Sequence, residues 1–287
     1  MARFKPELTR PPDFAEFWKR QLAALPEVKA TLGEGGDVKY PSVDGKTEVW
    51  GWYSAPKSDK RLPAVLSIPA FGGRRGNGPP RHPNAAGMVV GYRGCGDEPW
   101  PSDWITRGLD KPENSVFRLH YLNLVQAVRF LQSRPEVDPK RIYLTGGSLG
   151  GGMCVVLAGL LGKEIAGFVA SLPGMAYYFY KDGTPAESTF KQMEQFVAKN
   201  PSDKATILRV LSYTAQVNFA PDVTCEALVS CGGKDALCFP KMVYAVYNHL
   251  GGAKEMKYYP EATHGGGPGL KDEWPAATRE WFAARLR

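Results

Sequence analysis

The sequence predicts an α/β fold with a mostly parallel central sheet flanked by helices. From about residue 62 to the end of the chain, short apolar runs alternate with segments of helical periodicity, the pattern that successive βα units produce. The chain has 287 residues and 43% of them are hydrophobic, which is enough for one large core. We see no internal repeat and no low-complexity linker, so we expect residues 1–287 to form a single domain.

Three elements are predicted before the alternating part. Residues 11–25 (PPDFAEFWKRQLAAL) carry their aromatic side chains on one face, as an amphipathic helix does. Residues 37–43 and 47–55 have the composition of strands. The pair Asp44-Gly45 between them favours a turn, so we expect an antiparallel hairpin.

The alternating part supplies the rest of the sheet and its helices. Strands are predicted at 62–70, 85–94, 141–146, 165–174, 225–233 and 255–262. Helices are predicted at 115–135, 151–162, 240–250 and 272–286. Residues 175–220 break the alternation, because an aromatic cluster that includes Tyr177 is followed by polar helical stretches. We interpret this segment as an insertion that forms a lid.

Composition excludes several classes of protein. The net charge is +7, but the basic residues are scattered and form no stripe, so we expect no nucleic-acid binding. No apolar stretch reaches the roughly 18 residues that span a bilayer, and the amino-terminal residues have no apolar core of a signal peptide. We therefore expect no membrane partner and a cytoplasmic location; export after removal of a signal segment stays open.

The cysteines give no metal or disulfide signal. There are five of them, an odd number, and no C-x-x-C pair occurs, so neither a zinc site nor a disulfide framework is predicted. Cys154 and Cys231 lie in apolar runs and are expected in the core. We expect no metal and no cofactor, and a reducing compartment is favoured.

A glycine-rich turn between a predicted strand and a predicted helix carries the main chemical signal. The dinucleotide pattern G-x-G-x-x-G fails there because Ser148 and Leu149 interrupt it, and a phosphate loop fails because Met153 stands where lysine is needed. The pattern G-x-S-x-G fits from Gly146 to Gly150. In a strand–turn–helix context this pattern presents a serine nucleophile, and we predict that Ser148 has that role.

A serine nucleophile needs a base and an acid that orients the base. Asp235 directly follows one predicted strand and His264 follows the next, in the order serine, acid, histidine. His249 ends a predicted helix and is expected to be structural, and His120 lies within a predicted helix and is expected to be a packing or surface residue. His82 lies in a proline-rich loop, where it either lines the substrate pocket or is an ordinary loop residue.

The oxyanion of the reaction needs two N–H donors. One donor is expected from the residue after the nucleophile, which is Leu149, and the other from the loop after an early strand. That loop contains the sequence AFGG at 70–73, and we predict that the amide of Phe71 is the second donor. Because backbone groups do this work, the side chain of Leu149 is not required for it.

The chain resembles the carbohydrate esterase family 7 deacetylases, which include acetyl xylan esterases and cephalosporin C deacetylases. The similar stretches span nearly the whole chain in the order of the family. They are DFAEFW (13–18), GYRGCG (91–96), TRGLDKPEN (106–114), AVRFLQSRPEVDPKRIYLTGGSLGGG (127–152), LSYTAQVNFA (211–220), KDALCFP (234–240) and YNHLGGAKEMKYYPEATHGGG (247–267). The resemblance implies the α/β-hydrolase fold.

The resemblance also implies roles for single residues. It makes Ser148, Asp235 and His264 the triad, and Phe71, where the family usually has tyrosine, an oxyanion donor together with Leu149. Arg93 and Gly94 match the first two residues of the family's R-G-Q motif, which implies that they brace the loop beneath the site.

Three departures from the family stand in the sequence. Leu149 replaces a glutamine beside the nucleophile, Gly265 replaces a glutamate beside the histidine, and the region 96–107 is shorter. In the family that region packs subunits into a hexamer, so we expect a homo-oligomer and leave the hexamer open.

The activity implied is removal of acetyl groups from acetylated sugars, xylo-oligosaccharides or related small esters. Two alternatives stay open. An esterase for bulkier or more apolar acyl groups would use the aromatic segment 176–180, with Tyr177 as a candidate pocket residue. A hydrolase-like binding protein without catalysis is the other.

Overall fold

The computed structural model describes residues 2–73, 76, 78–91, 103–175 and 189–287, with side chains from residue 191 in the last range. Nine strands of this part form one sheet. The strands are β1 (Thr31–Leu32), β2 (Asp37–Pro41), β3 (Glu48–Ser54), β4 (Leu62–Ile68), β5 (Ala86–Val90), β6 (Val137–Gly147), β7 (Gly167–Ser171), β8 (Glu226–Gly232) and β9 (Lys254–Tyr259). The helices are α1 (Phe14–Ala23), α2 (Val116–Ser133), α3 (Leu149–Leu161), α4 (Thr189–Lys199), α5 (Lys204–Thr214), α6 (Pro240–Tyr247) and α7 (Glu273–Arg285).

The sheet has an antiparallel start and a parallel remainder. Its strand order is β1-β2-β3-β5-β4-β6-β7-β8-β9. The pairs β1–β2, β2–β3 and β3–β5 are antiparallel, and all pairs from β5–β4 to β8–β9 are parallel. The carboxyl ends of β4 to β9 therefore lie at one edge, where sites on such sheets form.

Helices cover both faces of the sheet. Apolar residues of α1, α2, α3, α5 and α6 form one core with the first face, and α7 packs on the other face through Trp274 and Trp281. Helix α3 is buried along almost its whole length, because its sequence LGGGMCVVLAGLL is apolar on every side. The helix that follows the serine turn is thus fixed by the core.

Helix α5 lies within the segment predicted as a lid, but it packs into the core. The Trp18 indole of α1 donates a hydrogen bond to the carbonyl of Tyr213 at 3.0 Å, and the rings of Phe17 and Tyr213 lie 4.7 Å apart. The Tyr121 hydroxyl of α2 donates to the Thr214 carbonyl at 2.8 Å. A lid role stays a prediction for the earlier part of the segment, of which residues 176–188 lie outside the described residues.

The predicted elements agree with the structure in type and order. Strand β6 is longer than predicted, because it begins at Val137 with an irregular register against β4. Strand β1 was not predicted; it has two residues, too few for a periodic signal. None of the helices in the described part is long and apolar enough to cross a membrane.

Candidate active site

The turn between β6 and α3 holds Ser148 in a strained backbone conformation. Its φ is 51° and its ψ is −123°, a region that residues other than glycine rarely occupy. The Ser148 amide donates to the Ser171 carbonyl at 2.8 Å, and the Ser148 carbonyl accepts from the amides of Gly152 at 3.1 Å and Gly174 at 2.8 Å. These three hydrogen bonds to α3 and to the β7 region hold the turn in place.

The glycines around Ser148 are required by close backbone contacts. A Cβ on Gly146 would lie 2.5 Å from the carbonyl carbon of Gly150, and a Cβ on Gly150 would lie 2.2 Å from the Ile68 carbonyl oxygen. A Cβ on Gly147 would meet nothing nearer than 3.9 Å. The two outer glycines of the motif are therefore sterically necessary, whereas the glycine directly before the serine is not.

The predicted acid and base meet at the same edge of the sheet. His264 Nδ1 lies 2.9 Å from Asp235 Oδ2. Asp235 Oδ1 accepts two further hydrogen bonds, both at 2.8 Å, from the amides of Leu237 and Cys238. The Asp235 side chain has no solvent exposure, while 26% of the His264 side chain is exposed. A carboxylate satisfied in this way orients the imidazole and leaves its Nε2 free to take up a proton.

The loop that carries His264 is a tight turn closed by backbone hydrogen bonds. Thr263 and Gly266 pair through two backbone hydrogen bonds, Thr263 N to Gly266 O at 2.8 Å and Gly266 N to Thr263 O at 3.2 Å. Gly266 and Gly267 have φ values of 119° and 136°, which only glycine adopts without strain. The sequence THGGG therefore fixes His264 at the tip of a tight turn.

The Ser148 hydroxyl faces a thiol. Ser148 Oγ lies 3.8 Å from Cys238 Sγ, and within the described residues no hydrogen bond joins Ser148 to His264. In enzymes without bound substrate the distance between nucleophile and base is often too long for a hydrogen bond, and it shortens only in the reactive complex. Burial, together with the nearby Asp235 carboxylate, raises the pKa of the Cys238 thiol well above its usual range, so this side chain is a neutral neighbour of the serine.

Cys238 is the site residue that sequence reasoning missed. It contacts Ser148 through its side chain and Asp235 through its amide. The signal was present, because Asp235 begins the sequence DALC, in which an aspartate caps the amides two and three positions later. The prediction that no metal is bound considered only C-x-x-C spacing. The structure brings Asp235, Cys238 and His264 together, with one ligand atom of each within 4.8 Å of the others.

The two residues predicted as oxyanion donors both follow strands that end at the edge of the sheet carrying Ser148. Leu149 is the first residue of α3, so its amide has no acceptor within the helix. Phe71 follows β4 at the same edge of the sheet, and its ring packs against Trp104 in a tilted arrangement with the centroids 4.6 Å apart. The Leu149 side chain is only 2% exposed, so it belongs to the core and presents no surface to a substrate. The donor roles themselves stay predictions.

Another predicted site residue, His82, lies in a different part of the fold. His82 lies before β5 and packs near Gly87. Gly87 and Tyr143 pair with the same residue of β4, so they lie at the same height in the sheet. Ser148 comes five residues after Tyr143, roughly 16 Å further along the strand direction. The structure thus puts His82 toward the opposite edge, which argues against contact with a substrate at Ser148. Tyr177, Arg93 and Gly94 lie outside the described residues.

The remaining histidines and the core cysteines match expectation. His249 Nε2 lies 2.7 Å from the Pro6 carbonyl oxygen, and burial lowers the pKa of its imidazole. His120 is buried in α2 at 1% exposure, so it is a packing residue and not a surface residue. Cys154 and Cys231 are buried in the core.

The strand order and the strained serine turn after β6 define this chain as an α/β-hydrolase. Within that class the chain belongs to the acetyl xylan esterase family, because the sequence profile of that family matches residues 1–277. This match confirms the resemblance that the sequence showed.

Individual proteins agree with the family assignment. The chain is 26% identical to the acetyl esterase Axe7A of Xylanibacter ruminicola over 91% of its own length, and it spans 65% of the length of that relative. Its fold is similar to that of the acetyl xylan esterase from Paenibacillus sp. R4, with a TM-score of 0.86, 26% identity and coverage of 99% of this chain and 98% of that one. Acetyl xylan esterase 1 from Thermoanaerobacterium sp. JW/SL YS485 has the same fold, with a TM-score of 0.83, 22% identity and coverage of 97% and 95%.

Proposed function

We propose that this protein is a serine carboxylesterase that removes acetyl groups from acetylated sugars, xylo-oligosaccharides or related small esters. The observation that carries the proposal is the hydrogen bond between His264 and Asp235 at the sheet edge where the strained turn presents Ser148. The membership of the chain in the acetyl xylan esterase family supports the choice of an acetyl ester.

The first step is attack by Ser148 on the ester carbonyl. His264 Nε2 accepts the hydroxyl proton as the Ser148 Oγ to carbon bond forms, and Asp235 stabilises the imidazolium through Nδ1. The amides of Leu149 and Phe71 donate hydrogen bonds to the oxyanion. When the intermediate collapses, the bond to the sugar oxygen breaks and His264 returns the proton to that oxygen.

The second step releases the acid. Water attacks the acetyl-serine, and His264 takes its proton and then returns it to Ser148 Oγ. The product is acetic acid, which ionises to acetate and releases its proton to the solvent, and the enzyme returns to its starting state. The proton that Ser148 gives up in the first step and the one that it takes back in the second both move through His264.

The experiment that tests the proposal is acetate release from acetylated xylo-oligosaccharides. We expect the wild-type protein to release acetate and Ser148→Ala to lose at least about 10⁴-fold in kcat/KM. Ser171→Ala is a matched control, because Ser171 accepts its hydrogen bond from the turn at its backbone carbonyl, and its hydroxyl lies 3.2 Å from the hydroxyl of Ser230. Acetate release by Ser148→Ala at the wild-type rate would refute the mechanism.

A second candidate is an esterase for longer or more apolar acyl groups. Two large apolar side chains in loops at the sheet edge of the triad are exposed. Phe71, in the loop after β4, is 48% exposed, and Leu237, in the loop after β8, is 44% exposed. An exposed apolar surface of this kind suits an acyl chain. Comparing acetyl, butyryl and octanoyl p-nitrophenyl esters decides between the candidates. A maximum of kcat/KM at the acetyl ester supports the deacetylase, and a maximum beyond butyryl supports the second candidate.

We further propose a homo-oligomer in the cytoplasm. The family resemblance supports the assembly, and light scattering of the purified protein measures its size. The four cysteines that the structure describes, Cys154, Cys225, Cys231 and Cys238, are free thiols, which suits a reducing compartment.

A further inference from the structure

The side chains of Asp235, Cys238 and His264 form a cluster that we call the thiol cluster. One ligand atom of each residue lies within 4.8 Å of the others. Asp235 and Cys238 are buried, with 3% and 4% exposure. The cluster comes from the loops after β8 and β9 and lies against Ser148, whose Oγ is 3.8 Å from the Cys238 sulfur.

We propose that the thiol cluster is an inhibitory binding site for a thiophilic divalent cation such as Zn²⁺ or Cd²⁺. This inference rests on the proposed function, because it names a regulator of the same site. Thiolate, imidazole and carboxylate are the ligands that zinc takes from proteins, and a thiolate selects for soft cations over Mg²⁺ or Ca²⁺.

The geometry needs only a small adjustment to hold the cation. Zinc bonds of about 2.0–2.3 Å in a tetrahedron put neighbouring ligand atoms roughly 3.3–3.8 Å apart. The cluster atoms lie within 4.8 Å of one another, so a contraction of about 1 Å completes the site. Ser148 Oγ, 3.8 Å from the Cys238 sulfur, is the neighbouring oxygen that could take the fourth position. On binding, the Cys238 thiol loses its proton to solvent and its sulfur forms the bond to the metal.

A cation in this place stops the proposed reaction whichever nitrogen of His264 it takes. At Nε2 it occupies the lone pair that accepts the Ser148 proton. At Nδ1 it replaces the 2.9 Å hydrogen bond to Asp235, and the imidazole loses the partner that orients it. The amides of Leu237 and Cys238 both donate to Asp235 Oδ1, so Oδ2 is the oxygen left for the metal. There the metal competes with the contact to His264, and we expect a chelator to remove it.

The test is a Cd²⁺ titration of the purified full-length protein with two readouts. The first is the rate of p-nitrophenyl acetate hydrolysis, with each variant normalised to its own rate without metal. The second is the ultraviolet charge-transfer absorption of a cadmium–thiolate bond, which does not depend on activity. The variants are Cys238→Ala and Cys238→Ser, and the control is Cys225→Ala, since Cys225 lies before β8 near the opposite edge of the sheet.

We expect Cd²⁺ to inhibit the wild type and Cys225→Ala equally, with full recovery on addition of EDTA. In both Cys238 variants the inhibiting concentration rises at least tenfold, and the absorption band that saturates at one Cd²⁺ per chain is lost. Ser148→Ala keeps the band, so the site can be tested even if the protein proves not to hydrolyse esters. Equal inhibition of Cys238→Ala and the wild type, or an unchanged band in the Cys238 variants, overturns the proposal.

Discussion

His264 Nδ1 and Asp235 Oδ2 lie 2.9 Å apart although 29 positions separate the two residues in the sequence. Each residue follows a strand of the parallel sheet, Asp235 after β8 and His264 after β9. Because these strands are neighbours and parallel, their following loops meet at one edge. The contact is therefore a direct consequence of the topology, and Ser148 reaches the same edge because it follows β6.

Replacing Asp235 by asparagine tests the role of this contact. The Oδ1 atom of asparagine still accepts from the amides of Leu237 and Cys238, so the loop keeps its shape. The amide group then donates to His264 Nδ1, which moves the ring proton to Nε2, where it blocks uptake of the Ser148 proton. We expect kcat for acetyl esters to fall on the order of 10³–10⁴-fold, measured by steady-state kinetics, with little change in melting temperature.

The matched control for that variant is Asp222→Asn. Asp222 is exposed, and its carboxylate pairs with Arg10 at 2.6 Å, away from the triad. Its activity should equal that of the wild type. An Asp235→Asn enzyme that keeps more than a tenth of the wild-type kcat would show that the aspartate does not orient the base.

The serine turn allows a prediction about the stability of variants at Gly150 and Gly147, which lie on either side of Ser148. Gly150→Ala places a methyl group 2.2 Å from the Ile68 carbonyl oxygen, so the turn must shift against β4. We expect a loss of about 1–3 kcal/mol in the free energy of unfolding and reduced activity. Gly147→Ala has room for its methyl group and should change the stability by less than about 0.5 kcal/mol. Denaturant unfolding measures both, and equal stability of the two variants would disprove this account of the motif.

A hydrogen bond between Tyr213 of α5 and Asp13, the residue before α1, makes the stability of the fold depend on pH. The Tyr213 hydroxyl donates a hydrogen bond to the Asp13 carboxylate, and this bond lowers the pKa of Asp13 below its ordinary value of 3.8. A carboxyl whose pKa is lower in the folded than in the unfolded protein stabilises the fold at any pH above its ordinary pKa. This stabilisation is lost as the pH falls through the lowered pKa of the folded state. Tyr213→Phe should therefore lower the melting temperature at neutral pH by a few degrees at most, and the difference from the wild type should shrink below about pH 4.

Tyr244→Phe is the control for the Tyr213 variant. In the described part of the chain Tyr244 makes ring contacts with Tyr247 and Tyr258 but no hydrogen bond to a carboxylate. Melting curves of both variants over a range of acidic pH give the comparison. A Tyr213→Phe difference that stays constant with pH would mean that the hydrogen bond to Asp13 does not contribute.

The positions of Ser148, Asp235 and His264 could be predicted from the sequence because each of them lies within five residues after a strand. Ser148, Asp235 and His264 are recognised by their positions after apolar runs, which periodicity reveals. The motif predicts that glycines give room to a tight turn. Only the structure shows that Gly146 and Gly150 are sterically required while Gly147 is not.

What the sequence missed depends on contacts between distant segments. Cys238 was assigned no role, because its contact with Ser148 spans 90 positions. The packing of α5 was not predicted, because the sequence pattern of this helix does not show that Tyr213 contacts α1. For His82 the sequence left a pocket position and an ordinary loop position open, because a loop position alone does not say which edge of the sheet the residue reaches.

The central claim is that Ser148 is a nucleophile activated by His264 and Asp235, and reaction with a fluorophosphonate probe tests it most directly. Intact-mass spectrometry should show one adduct per chain in the wild type, and peptide mapping should place it on Ser148. Ser148→Ala should form no adduct, and Asp235→Asn should react far more slowly than the wild type. An unmodified wild-type protein, or an adduct that persists in Ser148→Ala, would contradict the claim.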